Sequence, residues 1–113
     1  MHEMSLAENV RVLIEEAARR EGFTRVRGVW LEIGRLSAVE PEALRFCFDV
    51  TMHGSLADGA RLEIIDVPGR GKCPACGLDT ALDAVYDPCE HCGEVPVSVT
   101  AGTDMRVKEL EVE

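Results

Sequence analysis

The sequence predicts an α+β fold in which two helices pack on a three-stranded sheet, with a four-cysteine module inserted before the last strand. Three observations lead to this expectation. Apolar residues recur at helical spacing in two segments, they alternate in the segments that follow, and two Cys-x-x-Cys pairs interrupt the second half.

Leu6, Val10, Leu13, Ile14 and Ala17 share one helical face, and Ser5 with Glu8 makes an S-x-x-E capping box, so a first helix is expected over 5–21. Arg19 and Arg20 suit the negative end of its dipole, and Gly22 supplies a stop. Val29, Leu31 and Ile33 then alternate with Trp30 and Glu32, the period of a half-buried strand. Pro41 occupies a first helical position, and Leu44, Cys47, Phe48 and Thr51 follow at helical spacing up to Gly54. Leu62 and Ile64 alternate with Arg61 and Glu63 in a second strand, which Pro68-Gly69-Arg70-Gly71 is expected to end as a linker. Beyond the cysteines, Val95, Val97 and Val99 and then Met105 to Val112 resume β-like patterning, and the last strand is expected to rejoin the sheet of the first half. The α+β part is thus expected to span 1–69 and 96–113, and the insert 70–95.

With 113 residues, the core can be only modestly deep, and a staple would help it. The formal charge of -9, from 21 acidic and 12 basic residues, repels phosphate backbones and anionic lipids and attracts metal cations, which argues against nucleic acid or membrane partners. The N-terminus shows no basic segment followed by a long apolar run, so neither a signal peptide nor a membrane span is expected. A cytoplasmic location follows, where paired cysteines more often hold metal than form disulfides.

Cys73-x-x-Cys76 and Cys89-x-x-Cys92, separated by twelve residues, place four thiolates on two tight turns able to converge on one tetrahedral ion. This reads as a zinc ribbon with structural zinc; disulfides and a rubredoxin-like iron site are the alternatives. Four thiolates leave no open position, so the site stabilises and does not catalyse. Between Cys73 and Cys92 there is no Lys or Arg, and Asp79, Asp83, Asp87 and Glu90 are acidic, the opposite of a nucleic-acid-binding ribbon. His91, inside the second pair, is a possible accessory residue or a plain turn residue. Cys47 is expected to be a small core hydrophobe and His53 a partner of a helix C-terminus. No Ser-His-Asp set, open metal position or phosphate loop suggests an enzyme.

A second metal site is conceivable at the start, Met1-His2-Glu3. The His2 imidazole, the peptide nitrogen between residues 1 and 2 and the Met1 α-amine can form fused planar chelate rings, suited to nickel(II) or copper(II). The α-amine has a reference pKa of about 7.7–8.0, so freeing it for a metal costs little at neutral pH. The positive end of the first helix opposes a cation here, and an unengaged terminal His is the other reading.

The segments MHEMSLAENV, EIGRLSAVEPEALRFCFDV, ARLEI and GTDMRVKELEVE, together with the two cysteine pairs, resemble the HypA family of nickel metallochaperones over essentially the whole chain. The resemblance implies a nickel-binding α+β domain at 1–69 and 96–113 and a zinc-binding domain at 70–95, with nickel held through the Met1 amine, His2 and Glu3 and zinc by Cys73, Cys76, Cys89 and Cys92. Glu40 matches a position where an acidic residue is common and is an accessory residue or a helix-start residue. It also implies delivery of Ni(II) for maturation of nickel-iron hydrogenase, with a HypB-type GTPase and the hydrogenase large subunit as partners, by a monomer or weak homodimer. Met4 departs from a frequent leucine, and Gly102-Thr103-Asp104-Met105 from a commoner Gly-x-Glu-Leu. The rival reading is a zinc-ribbon protein-interaction module with an inert N-terminus.

Overall fold

A computed structural model describes residues 3–113. The elements are α1 (Glu3–Glu21), β1 (Val26–Gly34), a 3-10 turn (Arg35–Ser37), α2 (Pro41–Met52), β2 (Arg61–Val67), β3 (Gly69–Lys72), β4 (Asp79–Leu82), β5 (Ser98–Ala101) and β6 (Met105–Val112). They form the expected α+β fold, but with two three-stranded sheets, ordered β2-β1-β6 and β4-β3-β5. Backbone contacts divide the chain into one unit of Met1–Leu31, Val39–Ile64 and Val107–Glu113 and another of Glu32–Ala38 and Ile65–Arg106.

In the first unit α1 packs against α2. Leu6, Ala7, Val10 and Ile14 line the buried side of α1, and Leu44, Phe48 and Met52 that of α2. Val29 and Leu31 of β1 are also fully buried. Removing each large side chain of this kind from water is worth about 1.5–3 kcal/mol, so this stripe, more than helix propensity, holds the helices in place. Leu13, expected on the buried face, is half exposed at 50%, because the buried stripe is narrower than the apolar sequence pattern. Cys47 is only half-buried, lying at the edge of the stripe beside Phe48.

Helix α1 does not begin at the Ser5 capping box, since Glu3 and Met4 are already helical. Packing explains the difference: the Thr51 hydroxyl donates to Met4 Sδ at 3.4 Å, and Arg11 Nη1 donates to Thr51 O at 2.8 Å, so α2 grips the first turns of α1. At the other end Gly22 stops the helix as expected, its N–H donating to Ala18 O at 2.8 Å. Helix α2 starts as expected at Pro41, and the Glu40 carboxylate caps it by accepting the Glu42 N–H at 3.2 Å. His53 closes it as the C-cap residue.

Strand β6 returns beside β1 and runs antiparallel to it: Thr24 N–H donates to Glu113 O at 3.0 Å, and Gly34 N–H donates to Asp104 O at 2.8 Å. The expected linker at Pro68-Gly69-Arg70-Gly71 is a strand from Gly69 onward, central in the second sheet. It pairs antiparallel with β4, Arg70 opposite Ala81 and Lys72 opposite Asp79, and with β5, Lys72 opposite Ser98. Glycine is required rather than loose here. A Cβ on Gly71 would stand 2.5 Å from Val97 Cγ1 and 2.9 Å from both Leu82 Cδ1 and Ser98 O, so the neighbouring side chains occupy that space.

Candidate metal centres

Cys73 ends the run after β3, Cys76 follows on a tight turn, and Cys89 and Cys92 sit on a second turn after β4. The two turns are built alike. Cys73 N–H donates to Leu78 O at 3.0 Å and Gly77 N–H to Cys73 O at 2.7 Å; Cys89 N–H donates to Glu94 O at 3.0 Å and Gly93 N–H to Cys89 O at 2.9 Å. Each closes on a left-handed glycine, φ +76° at Gly77 and +77° at Gly93, which a side chain would strain.

The result brings all four sulfurs within 4.8 Å of one another. Cys73 Sγ lies 3.6 Å from Cys92 Sγ, and Cys76 Sγ lies 3.8 Å from Cys89 Sγ. A tetrahedron with metal–sulfur bonds of about 2.3 Å has edges of roughly 3.8 Å, so the thiols already stand where a tetrahedral ion would hold them. They are far from disulfide distance, about 2.05 Å. Cys73 and Cys89 are buried on an apolar floor of Leu82 and Val97, flanked by Leu36 and Val99, while Cys76 and Cys92 face outward.

Thiols this close cannot all ionise unless a cation joins them, and their acidities spread accordingly. Burial pushes Cys89 up, but the backbone N–H groups of Cys92 and His91 and the adjoining thiols outweigh it and bring Cys89 down to about 6. Cys92 is helped by the Glu94 N–H, yet burial and the thiols of Cys73, Cys89 and Cys76 push it up to about 12. Cys76 is helped by the Leu78 N–H, and burial with the Cys73 and Cys89 thiols raises it. The apo cluster thus carries one ready thiolate and at least two held protons, which a divalent cation would displace.

His91 meets the cluster through its backbone, and its ring lies against β4. Its N–H donates to Cys89 Sγ at 3.4 Å, and its ring Nε2 lies 3.0 Å from Asp79 O. Sequence reasoning missed Thr80, the one buried polar residue among those described, whose hydroxyl oxygen accepts the Glu90 N–H at 3.0 Å and ties β4 to the second turn. It also missed Arg35, which joins Asp66 and Asp83 at 2.5 and 2.6 Å. Neither has a local signature, because each partner lies ten or more residues away.

The candidate N-terminal site falls largely outside the described residues: Met1 and His2 are not among them, and Glu3 is half-buried in the first turn of α1. Glu40 is the cap of α2, as described above. His53 is exposed, 4.0 Å from the Asp58 carboxylate. No helix among the described residues is long and apolar enough to cross a membrane.

Residues 1–112 match the family described as hydrogenase/urease nickel incorporation, metallochaperone, hypA. The hydrogenase maturation factors HypA of Azotobacter vinelandii and Dechloromonas aromatica are 55% and 57% identical to it over 113 residues, the whole of both chains in each case. The solution structure of the nickel metallochaperone HypA from Helicobacter pylori superposes with a TM-score of 0.73 at 30% identity, covering 99% of this chain and 97% of that one. With the same fold, two cysteine turns converging on a single tetrahedral site and full-length identity of this order, the chain belongs to the HypA family.

Proposed function

We propose that the chain carries Ni(II) at its extreme N-terminus, through the Met1 α-amine, the His2 imidazole and the peptide nitrogen between them, with Glu3 as the neighbouring carboxylate. As a HypA-family member it is a nickel metallochaperone for hydrogenase maturation. One observation favours the N-terminus for the cargo. The four-thiol cluster is complete with four ligands, and among the described residues no other group of three or more His, Cys, Asp or Glu converges to hold a metal. A cargo ion must also leave, and a shallow set of terminal nitrogen donors suits release better than a closed cage.

Cys73, Cys76, Cys89 and Cys92 then hold Zn(II) as a structural ion, in a zinc domain at 70–95 inserted into a nickel domain at 1–69 and 96–113. Zinc supplies shape and charge neutralisation; the chain performs no bond-making chemistry and is not an enzyme. It works in the cytoplasm as a monomer or weak homodimer, with a HypB-type GTPase and the immature hydrogenase large subunit as partners. Glu40 and His91 are accessory at most, since Glu40 caps α2 and His91 contacts Asp79 O.

The test is a nickel titration of three forms: the native N-terminus, one residue added ahead of Met1, and His2→Ala. Both changes are expected to abolish tight nickel binding while zinc stays near one per chain. If the extended form binds nickel as well as the native one, the amine is no ligand. Nickel binding indifferent to His2 would instead favour a zinc-ribbon interaction module with an inert N-terminus.

A further inference from the structure

The loop Asp83–Asp87, between β4 and the second cysteine turn, is locked by polar contacts. The Asp87 carboxylate accepts the backbone N–H of Asp83 at 2.9 Å and of Ala84 at 3.0 Å, and the Asp87 N–H donates to Ala84 O at 3.0 Å. Asp83 is anchored in turn by Arg35 Nη1 at 2.6 Å. Pro88 follows at once and restricts the backbone further. At the tip of this scaffold stand Val85 and Tyr86, 53% and 81% exposed. Beside it lies a shallow cleft of about 210 Å³, lined by Arg35, Leu36, Ala38 and the loop itself, with mostly apolar walls.

An exposed tyrosine on a loose loop is ordinary surface. On a loop held in one shape it is a preorganised anchor, because little conformational freedom remains to be lost on binding and tyrosine has only two side-chain torsions to fix. The surrounding charge narrows the partner. From Cys73 to Glu94 there is no Lys or Arg, whereas Asp79, Asp83, Asp87, Glu90 and Glu94 are acidic. Among the described residues, the one guanidinium bonded to the loop, that of Arg35, is already shared between Asp66 and Asp83.

We propose that Val85–Tyr86 is a docking finger for a different protein, one that offers an apolar pocket rimmed by Lys and Arg. A second copy of this chain would bring the same negative field to the contact and be repelled. Cys89 follows Pro88 directly, so the far end of the loop runs straight into the second cysteine turn.

The experiment uses the full-length chain with its native N-terminus and one zinc per chain, titrated calorimetrically against two purified probes, a HypB-type GTPase and the nickel-free hydrogenase large subunit. The choice of probes rests on the delivery role proposed above. Tyr86→Ala is expected to weaken binding to at least one probe by about 10-fold or more. Asp87→Asn, which keeps both anchor side chains and loosens their scaffold, is expected to weaken it by about 3- to 10-fold. Rising salt should weaken the unaltered complex as well. Unchanged zinc content and thermal midpoint certify that the exposed-residue variants are folded. The proposal is overturned if the unaltered chain binds neither probe, if Tyr86→Ala binds as well as the unaltered chain, or if Tyr86→Ala abolishes only self-association in sedimentation. Nickel titration of the same samples separates the two readings, since failure of the delivery role appears in the nickel isotherm and failure of docking in the partner isotherm.

Discussion

Replacing Gly71 by alanine separates the contribution of the apolar floor from that of the metal in building the cysteine site. The new methyl would meet Val97 Cγ1 at 2.5 Å, Leu82 Cδ1 at 2.9 Å and Ser98 O at 2.9 Å, and the last of these is backbone of β5 that cannot swing aside. Val97 and Leu82 are the residues on which the buried Cys73 and Cys89 rest. Overpacking of one methyl in a filled site costs about 1–3 kcal/mol. Structural zinc binding is worth about 10–16 kcal/mol in zinc-finger peptides, so the metal wins and the module still closes around it. Because the module is ordered together with its ion, the strain should appear in the zinc dissociation constant, at tenfold per 1.4 kcal/mol, as a weakening of about 5- to 150-fold. Competition against a chromophoric zinc chelator measures this directly, with Gly77→Ala, strained at φ +76° but facing open space, as a comparison without the clash. An affinity for Gly71→Ala equal to that of the unaltered chain would refute the reasoning, because it would mean that the floor has no part in placing the sulfurs.

Two further outcomes follow from the geometry. Cys92, near 12, and Cys76, raised from 9.0, keep their protons at neutral pH, whereas Cys89, near 6, has already lost its own; zinc therefore displaces at least two protons, and its affinity should climb by about 100-fold or more between pH 7 and pH 8. A rise of under 10-fold in buffered chelator competition would show that the cluster is already ionised without metal. Glu40→Ala removes the carboxylate that caps α2, so urea denaturation should show a loss of about 0.5–2 kcal/mol while nickel affinity changes less than threefold. A tenfold loss of nickel affinity would make Glu40 a ligand.

The parts of the structure legible in the sequence are those whose signal is local. Pro41 with Glu40 marks the start of α2, and four cysteines in two like pairs mark a metal site, because turn chemistry and ligand spacing are written within a few residues. The Ser5–Glu8 capping box misled for the converse reason: it reads only local preference, and the grip of Thr51 on Met4 comes from 47 residues away. Strand β3 was invisible because Gly69-Arg70-Gly71-Lys72 has no alternating apolar pattern. Its glycines are explained only by Leu82 and Val97, which press on them from other segments. The locked Val85–Tyr86 loop was equally hidden, since the arginine that holds it lies 48 residues earlier.

The four-thiol cluster and the proposed N-terminal chelate also bear on selectivity. A net charge of -9 draws cations of every kind, so discrimination must come from donor type and geometry. The sulfur cage meets part of that need, because tetrahedral soft thiolates suit zinc or iron and exclude the hard divalent ions. A planar nitrogen site at the N-terminus would not do so by affinity, because copper(II) generally binds such donors more tightly than nickel(II). Selection of nickel then rests on metal availability and on which protein docks and when, through surfaces separate from the chelate. The proposed finger Val85–Tyr86, anchored beside the four-thiol cluster, would place that control on the cysteine module and leave the proposed N-terminal chelate free to exchange.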